Sequence, residues 1–340
     1  MTERRIVSAD GVDFTTPGRR DYHVKLEHTT LWAHHLIPVT VLVGAQAQAG
    51  RGLVAMASTH GDELEGPVAV KHLLRDIRIQ DVLGRIILIP TINPMAFKAN
   101  RRETPDDGVN FNRAFPGAAK GSVTYRLADF VTRFIFPQVH VVLDLHSGGE
   151  VARFPETANV HHMADPGQRR SMEETARGFG TRFVMQYQNS TPGLLTGLAE
   201  ELGKISVGTE LGWGRAVQAA GVSMAKQGVV TAAIRQEQLR GEIPPNHHYP
   251  AAEQLLVDTS HPDSNLLAAF DGHFEPLVQL GEKVTRGQRV GWLHDFNRID
   301  DPPMELLAAH EGYILCQAWG AKVIQGQVLT QVGRPVEWAR

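Results

Sequence analysis

The sequence predicts an α/β fold with a mixed, largely parallel central sheet, followed by a small all-β unit at the C-terminus. Three observations predict it. Short continuous apolar runs alternate with amphipathic helical stretches, histidines stand at the ends of two of those runs, and helical periodicity disappears after about residue 249.

The leader 1–50 reads as β-rich, with YHVKLEHTT and VTVLVG as strands. Leu53 to Ser58 is a buried strand running into a loop at His60 and Gly61. A helix follows, with Pro67 tolerated in its first turn and Val68, Val70, Leu73, Leu74 and Ile77 as its apolar stripe. Gly84 introduces RIILIP, a second continuous apolar strand. Asn93 to Gly117 is polar and rich in Pro and Gly, too long for an ordinary connector, and such loops are usually functional. VTYRLADFVTRFIF is an amphipathic helix leading to HVVLDLHSGG, a third buried strand that ends on His146. Ligands of such sheets bind beyond the carboxyl ends of the strands, where His60 and His146 both fall. In the C-terminal part, LGEKVTRGQRVG and WGAKVIQGQVLT are near-copies, an internal repeat of two hairpin edges.

A chain of 340 residues divides naturally into a catalytic domain, 1–248, and an all-β domain, 249–340. The hydrophobic share of 42% and charged share of 21% are those of a globular protein with a core. Lys and Arg number 34 against 37 Asp and Glu, so no nucleic-acid or membrane partner is expected. No apolar run approaches the roughly 20 residues of a membrane span, and the polar start MTERRIVSAD is unlike a signal peptide. Cys316 is the single cysteine, which excludes an intrachain disulfide and fits a cytoplasmic location. Any metal must therefore be held by His, Asp or Glu.

STHGDELEG places His60 and Glu63 three residues apart at a strand-to-helix junction, on one side of the expected first turn. Asp62 and Glu65 point elsewhere by the same spacing, and Gly61 is expected to let the backbone approach the space between the ligands. LDLHSGG adds His146, with Ser147 and two glycines keeping the space above it open. Two imidazoles, one carboxylate and an open position make a catalytic zinc site, one Zn2+ per chain. Asp144, two residues earlier on the same strand face, is either a partner of His146 or an ordinary buried Asp. His161, His162, His247 and His248 sit near prolines in polar stretches and read as solvated. H-E-x-x-H, a phosphate loop and G-x-G-x-x-G are all absent.

THGDELEG, NPMAFKANRRETPDDGVNFNRAFPG, LDLHSGG and VGTELGW occur in this order over residues 50–215. In these motifs the chain resembles the succinylglutamate desuccinylase/aspartoacylase family, zinc enzymes related to the metallocarboxypeptidases. The resemblance implies a zinc-carboxypeptidase-like α/β/α domain and a C-terminal barrel-sandwich appendage. It is strongest to the bacterial branch that deacetylates N-acetyl-2,4-diaminobutyrate in ectoine breakdown. It implies His60, Glu63 and His146 as metal ligands, and Glu210 of TELGW as the catalytic glutamate. Arg102, selected over Arg101 by counting back from NFNR, would support the polarised carbonyl oxygen, while Asn112 and Arg113 would grip the substrate carboxylate. FNR stands where the family more often has LNR.

The expected activity is zinc-dependent removal of an acyl group, acetyl first, from a small N-acyl amino acid. The rivals are deacylation of an N-succinyl or N-aspartyl compound, a carboxypeptidase-like peptidase, and a metal-binding module without catalysis. Glu210 and Arg102 argue against the last, since neither is needed merely to hold a metal. DDPPMELLAAHEG contains no lysine for a biotin or lipoyl arm, so the all-β part is assigned to shielding the site or to assembly, a homo-oligomer included.

Overall fold

Gly52–Ala57 is buried at every position, so this strand must be covered on both faces. In the computed structural model, which describes residues 5–28, 32–188 and 191–339, it lies inside a large mixed sheet. Residues 1–4 of the polar start and Thr29 and Thr30 of the first expected strand fall outside the described residues.

The leader supplies β1 (Arg5–Val7), β2 (Gly18–Glu27) and β3 (His34–Val43), and the buried run is β4. Then come α1 (Glu65–Asp76), β5 (Arg85–Ile89), α2 (Pro94–Ala99), α3 (Val123–Phe130), β6 (Val139–Leu145), β7 (Ala152–Arg153) and β8 (Thr157–His161). α4 (Pro166–Arg177), β9 (Phe183–Tyr187), α5 (Leu195–Glu201), β10 (Ile205–Glu210) and α6 (Ala219–Arg235) complete the alternating part. β11 (Leu255–Asp258), β12 (Asn265–Leu267), β13 (Gly272–Pro276), β14 (Lys283–Val284) and β15 (Arg289–His294) follow. The chain ends with β16 (Met304–Leu307), β17 (Gly312–Ala318), β18 (Lys322–Val323) and β19 (Val328–Val336).

The main sheet runs β1-β2-β3-β5-β4-β6-β10-β8-β9-β11-β19-β17-β14. β5, β4, β6 and β10 are parallel, and β8 turns antiparallel against β10. Two-residue alternation splits β4 between two cores. Leu53, Ala55 and Ala57 face a layer with Val70 and Leu73 of α1 and Ala225 and Val229 of α6. Val54 and Met56 face the opposite layer, with Phe111, Leu127 of α3 and Val131. The C-terminal strands carry a third core of Phe274, Val284, Val290, Leu293, Ile314 and Leu329. The internal repeat is structural. Val284 and Val323 are both buried, Gly287 and Gly326 both turn with positive φ, and the Gln288 and Gln327 side chains each accept from the backbone three residues earlier.

The polar stretch from Asn93 to Gly117 is not a bare loop. Asn93 caps α2 through Ala96 N–H, because Ser/Thr/Asn/Asp side chains satisfy the first helix donors. His161 also differs from the expected solvated histidine. It ends β8 fully buried, with its Nδ1 on the Glu200 carboxylate.

Asp107 ties this long segment to α3. Its carboxylate accepts from Ser122 Oγ, Thr124 N–H, Thr124 Oγ1 and Val109 N–H. Burial pushes its pKa up, but these donors outweigh it and hold the pKa below 3.8. Because the folded-state value is depressed, the contribution is present above the ordinary value and is lost as pH falls through the folded one. Asp107→Ala should therefore cost about 1–2 kcal/mol at neutral pH. Thermal unfolding should show a lowered midpoint at pH 7 and a smaller difference near pH 3; equal midpoints at pH 7 would refute the cap.

Candidate metal centre

Three neighbouring parallel strands end at one place. β4 delivers Ser58, Thr59 and His60, β6 delivers His146, and β10 ends on Glu210. Leu211 N–H donates to the His146 carbonyl, and Thr209 Oγ1 accepts from His146 N–H, so these two strand ends are locked together. Ser58 sits at φ +60°, an uncommon left-handed conformation for a non-glycine residue, directly before the ligand segment.

His60 and Glu63 lie in the turn before α1, which begins only at Glu65; they are not in a helical turn. Gly61 also serves a different purpose from the expected one. A Cβ there would stand 2.0 Å from the Ala96 carbonyl, and its N–H donates to Arg101 O, so it seats the turn on α2. Likewise Gly148 and Gly149 pack tightly, against Ala152 O and the Asp62 carboxylate, instead of leaving open space.

His60, Glu63 and His146 are 2%, 2% and 8% exposed. Glu63 Oε1 is 2.7 Å from His60 Nδ1 and Glu63 Oε2 is 2.8 Å from His146 Nδ1, with the rings tilted 52° at 4.9 Å. The far nitrogens are engaged elsewhere. His146 Nε2 is 2.7 Å from Asp144 Oδ2, whose other oxygen accepts from Thr59 Oγ1, and His60 Nε2 is 3.1 Å from Asn110 Oδ1. Asn110 and Asp144 thus hold the Nε2 edges of the two rings, and both rings turn Nδ1 inward to Glu63. The three side chains offer donor atoms within 4.8 Å of one another and could hold a metal ion.

The charges fit a cation. Burial lowers the proton affinity of His146, yet Asp144 and Glu63 on either side raise it well above the ordinary value. His60, with burial dominant, is shifted down. Glu210 is half-buried, but its Oε2 is enclosed and has no hydrogen-bond partner. Burial first, then the negative charge of Glu63, push its pKa up to about 8, against the pull of His146 and Arg102.

A cleft of about 200 Å³ over the centre is lined by all seven residues singled out from sequence: His60, Glu63, Arg102, Asn112, Arg113, His146 and Glu210. Arg102 Nη1 lies 3.4 Å from Glu63 Oε1, whereas Arg101 is exposed and outside the lining. Asn112 Oδ1 accepts from Leu195 N–H, which leaves its NH2 group as the donor this cleft-lining side chain can offer a ligand. Sequence reasoning missed Asn110, Asn159 and Tyr187. Asn110 stands two places before Asn112 in the same motif, while Tyr187 carries no local signal. An adjoining cavity of about 570 Å³ shares Glu210, Tyr187 and Asn159 and is lined on its other side by Asn265, Gln327 and Gln331 of the C-terminal part.

Residues 49–234 match the succinylglutamate desuccinylase/aspartoacylase catalytic domain. The chain belongs to this family. Family members hydrolyse amide bonds, and this chain is an enzyme of that kind. It is 33% identical to the N-alpha-acetyl-L-2,4-diaminobutyric acid deacetylase of Halomonas elongata, over 96% of this chain and 94% of that one. The crystal structure of a succinylglutamate desuccinylase/aspartoacylase from Rhodobacter sphaeroides matches with TM-score 0.90 and 28% identity, over 96% of this chain and 98% of that one. The product-bound ectoine utilization protein EutE (DoeB) of Ruegeria pomeroyi matches with TM-score 0.87 and 29% identity, over 95% and 98%. No helix among the described residues is long and apolar enough to cross a membrane.

If Asp144 orients His146, Asp144→Asn should weaken metal binding about 10–100-fold while leaving the fold intact. Chelator competition on the purified protein measures this, and an unchanged affinity would remove Asp144 from that role.

Proposed function

We propose that the chain removes the acetyl group from an N-acetylated amino acid, N-acetyl-2,4-diaminobutyrate of ectoine degradation first, using one zinc ion held by His60, Glu63 and His146. The observation that carries this reading is a buried cluster of two imidazoles and one carboxylate beside Glu210, a half-buried carboxylate with one enclosed, unpartnered oxygen. The 33% identity to a named diaminobutyrate deacetylase and the likeness to EutE support the choice of substrate.

Zinc bound there supplies Lewis acidity, which acidifies water and polarises a carbonyl. The chain's own residues do the rest. Glu210 accepts a proton from the attacking water through its carboxylate and delivers it to the departing nitrogen, so it must face the centre without being a ligand. Arg102 brings a fixed cation to the oxygen on which charge develops. The Arg113 guanidinium and the Asn112 NH2 hold the carboxylate of the amino acid, a planar fork against a planar acceptor. The Tyr187 phenol, kept protonated by burial and by nearby Glu210, lines the same cleft as a donor. In this reading residues 249–340 form a barrel-sandwich domain that shields the site, supported by their separate core and by Gln327 and Gln331 in the cavity wall. The likeness to small-molecule metabolic enzymes supports action in the cytoplasm, where N-acyl amino acids are the partners.

The test is hydrolysis of N-acetyl-2,4-diaminobutyrate, N-acetyl, N-succinyl and N-aspartyl amino acids and a short peptide by zinc-loaded protein. Acetate release from the first should have the highest kcat/KM. Preference for N-succinyl or N-aspartyl compounds, or release of a C-terminal residue from the peptide, overturns the proposed specificity. Glu210→Gln should keep its zinc and lose about 10²–10⁴ in kcat. The wild type should lose activity as pH falls, with an acid limb between the ordinary 4.5 and about 8, because Glu210 works only when ionised and its pKa is raised. Robust turnover by the Gln variant with the same limb would exclude Glu210 as the base.

A further inference from the structure

The segment that carries Arg102, Asn110, Asn112 and Arg113 touches a second set of donor groups outside the lining of its own cleft. Thr104 closes a turn, its carbonyl accepting from Gly108 N–H and its Oγ1 from Asn93 Nδ2. Two acidic side chains leave this turn. Asp107 is spent on the α3 cap, whereas Asp106 meets His28 and His35 on the β2–β3 hairpin.

Strand register explains the pair. Leu26 stands opposite His35, and His28 N–H donates to Ala33 O, so the two histidines are diagonal neighbours on one face. Their rings stack at 4.6 Å, and Asp106 Oδ1 lies 3.0 Å from His35 Nε2 and 3.7 Å from His28 Nε2. All three donor atoms fall within 4.8 Å of one another. His35 Nε2 is enclosed, and the group that approaches it is the Asp106 carboxylate. Ligands of one tetrahedral zinc are about 3.3 Å apart, given bonds near 2.0–2.1 Å, and the two Asp106–histidine separations bracket that value. Burial chiefly, helped by His28 and Lys98, lowers the pKa of His35 against Asp106, which favours the neutral, metal-binding ring. The side chains keep 15–19% of their surface, enough for an ion to enter from solvent with water completing its shell.

We propose that His28, His35 and Asp106 form a second metal site, for a divalent ion of the zinc, nickel or copper type, which fastens the Arg102–Arg113 segment to the β2–β3 hairpin. Two imidazoles and one carboxylate suit these ions better than magnesium or calcium. Its side chains are more exposed to solvent than those of the His60–Glu63–His146 centre, which makes it the weaker of the two sites. The assignment does not depend on the reaction catalysed.

Equilibrium dialysis of the full chain against Zn2+, followed by metal analysis, tests it. Wild type should hold two ions per chain at saturation, the second about tenfold or more weaker, and His28→Gln/His35→Gln should hold one. Added zinc should raise the thermal midpoint of wild type in a second step that the double variant lacks. One ion in wild type, or two in a folded double variant, overturns the proposal. If the variant does not fold, Cu2+ added to wild type after one equivalent of zinc decides: electron paramagnetic resonance should show coupling to two imidazole nitrogens, and a spectrum without nitrogen coupling overturns the site.

Discussion

The centre depends on Glu63, a buried carboxylate that faces two imidazoles at once. An isolated ionised carboxylate in a dry interior is costly, and it persists only with positive charge or donors around it. Here one oxygen meets His60, the other meets His146 and Ser147 N–H, and Arg102 reaches the first from the cleft side. Asp144 adds a second buried carboxyl group behind His146, and Glu210 a third beside it. Three carboxyl groups around two rings leave the pocket short of positive charge. The high proton affinity of His146 and the raised pKa of Glu210 express that same shortage.

This charge cluster is possible because of the sheet. β4, β6 and β10 are parallel neighbours, so their carboxyl ends come out on one edge of the layer, where backbone donors and loops meet solvent. Ser58 and Gly61 then shape the exit of β4, one through a left-handed φ and the other through close approach to α2. The segment after α2 brings the cationic half of the site, Arg102 and Arg113, over the acidic half. It is pinned at Asn93, Thr104 and Asp107, which is why a long polar stretch can hold side chains in place.

The C-terminal strands are not a detached appendage. β11 continues the sheet beside β9, β19 pairs with β11, and β7 joins β17. Gln327, Gln331 and Asn265 thereby reach the wall of the cavity that contains Glu210. The space available next to the reacting groups is therefore set jointly by residues more than a hundred positions apart.

Much of this was legible from local pattern. The buried strands, the helix stripes, the repeat and the strand-end histidines are consequences of periodicities of 2 and 3.6 and of Gly and Pro punctuation, all of which act within a few residues. The resemblance in the NRRETPDDGVNFNR block then named Arg102, Asn112 and Arg113, which composition could not. Asn110 beneath His60, Tyr187 in the cleft, the buried His161–Glu200 pair and the meeting of His28, His35 and Asp106 were not legible. So the sequence alone determined which residue types stand at the ends of β4, β6 and β10 and where the buried strands of the core run. Tertiary structure decided which of those groups share a space and how their charges shift, because desolvation and Coulomb terms depend on distances between residues that the chain order leaves unspecified.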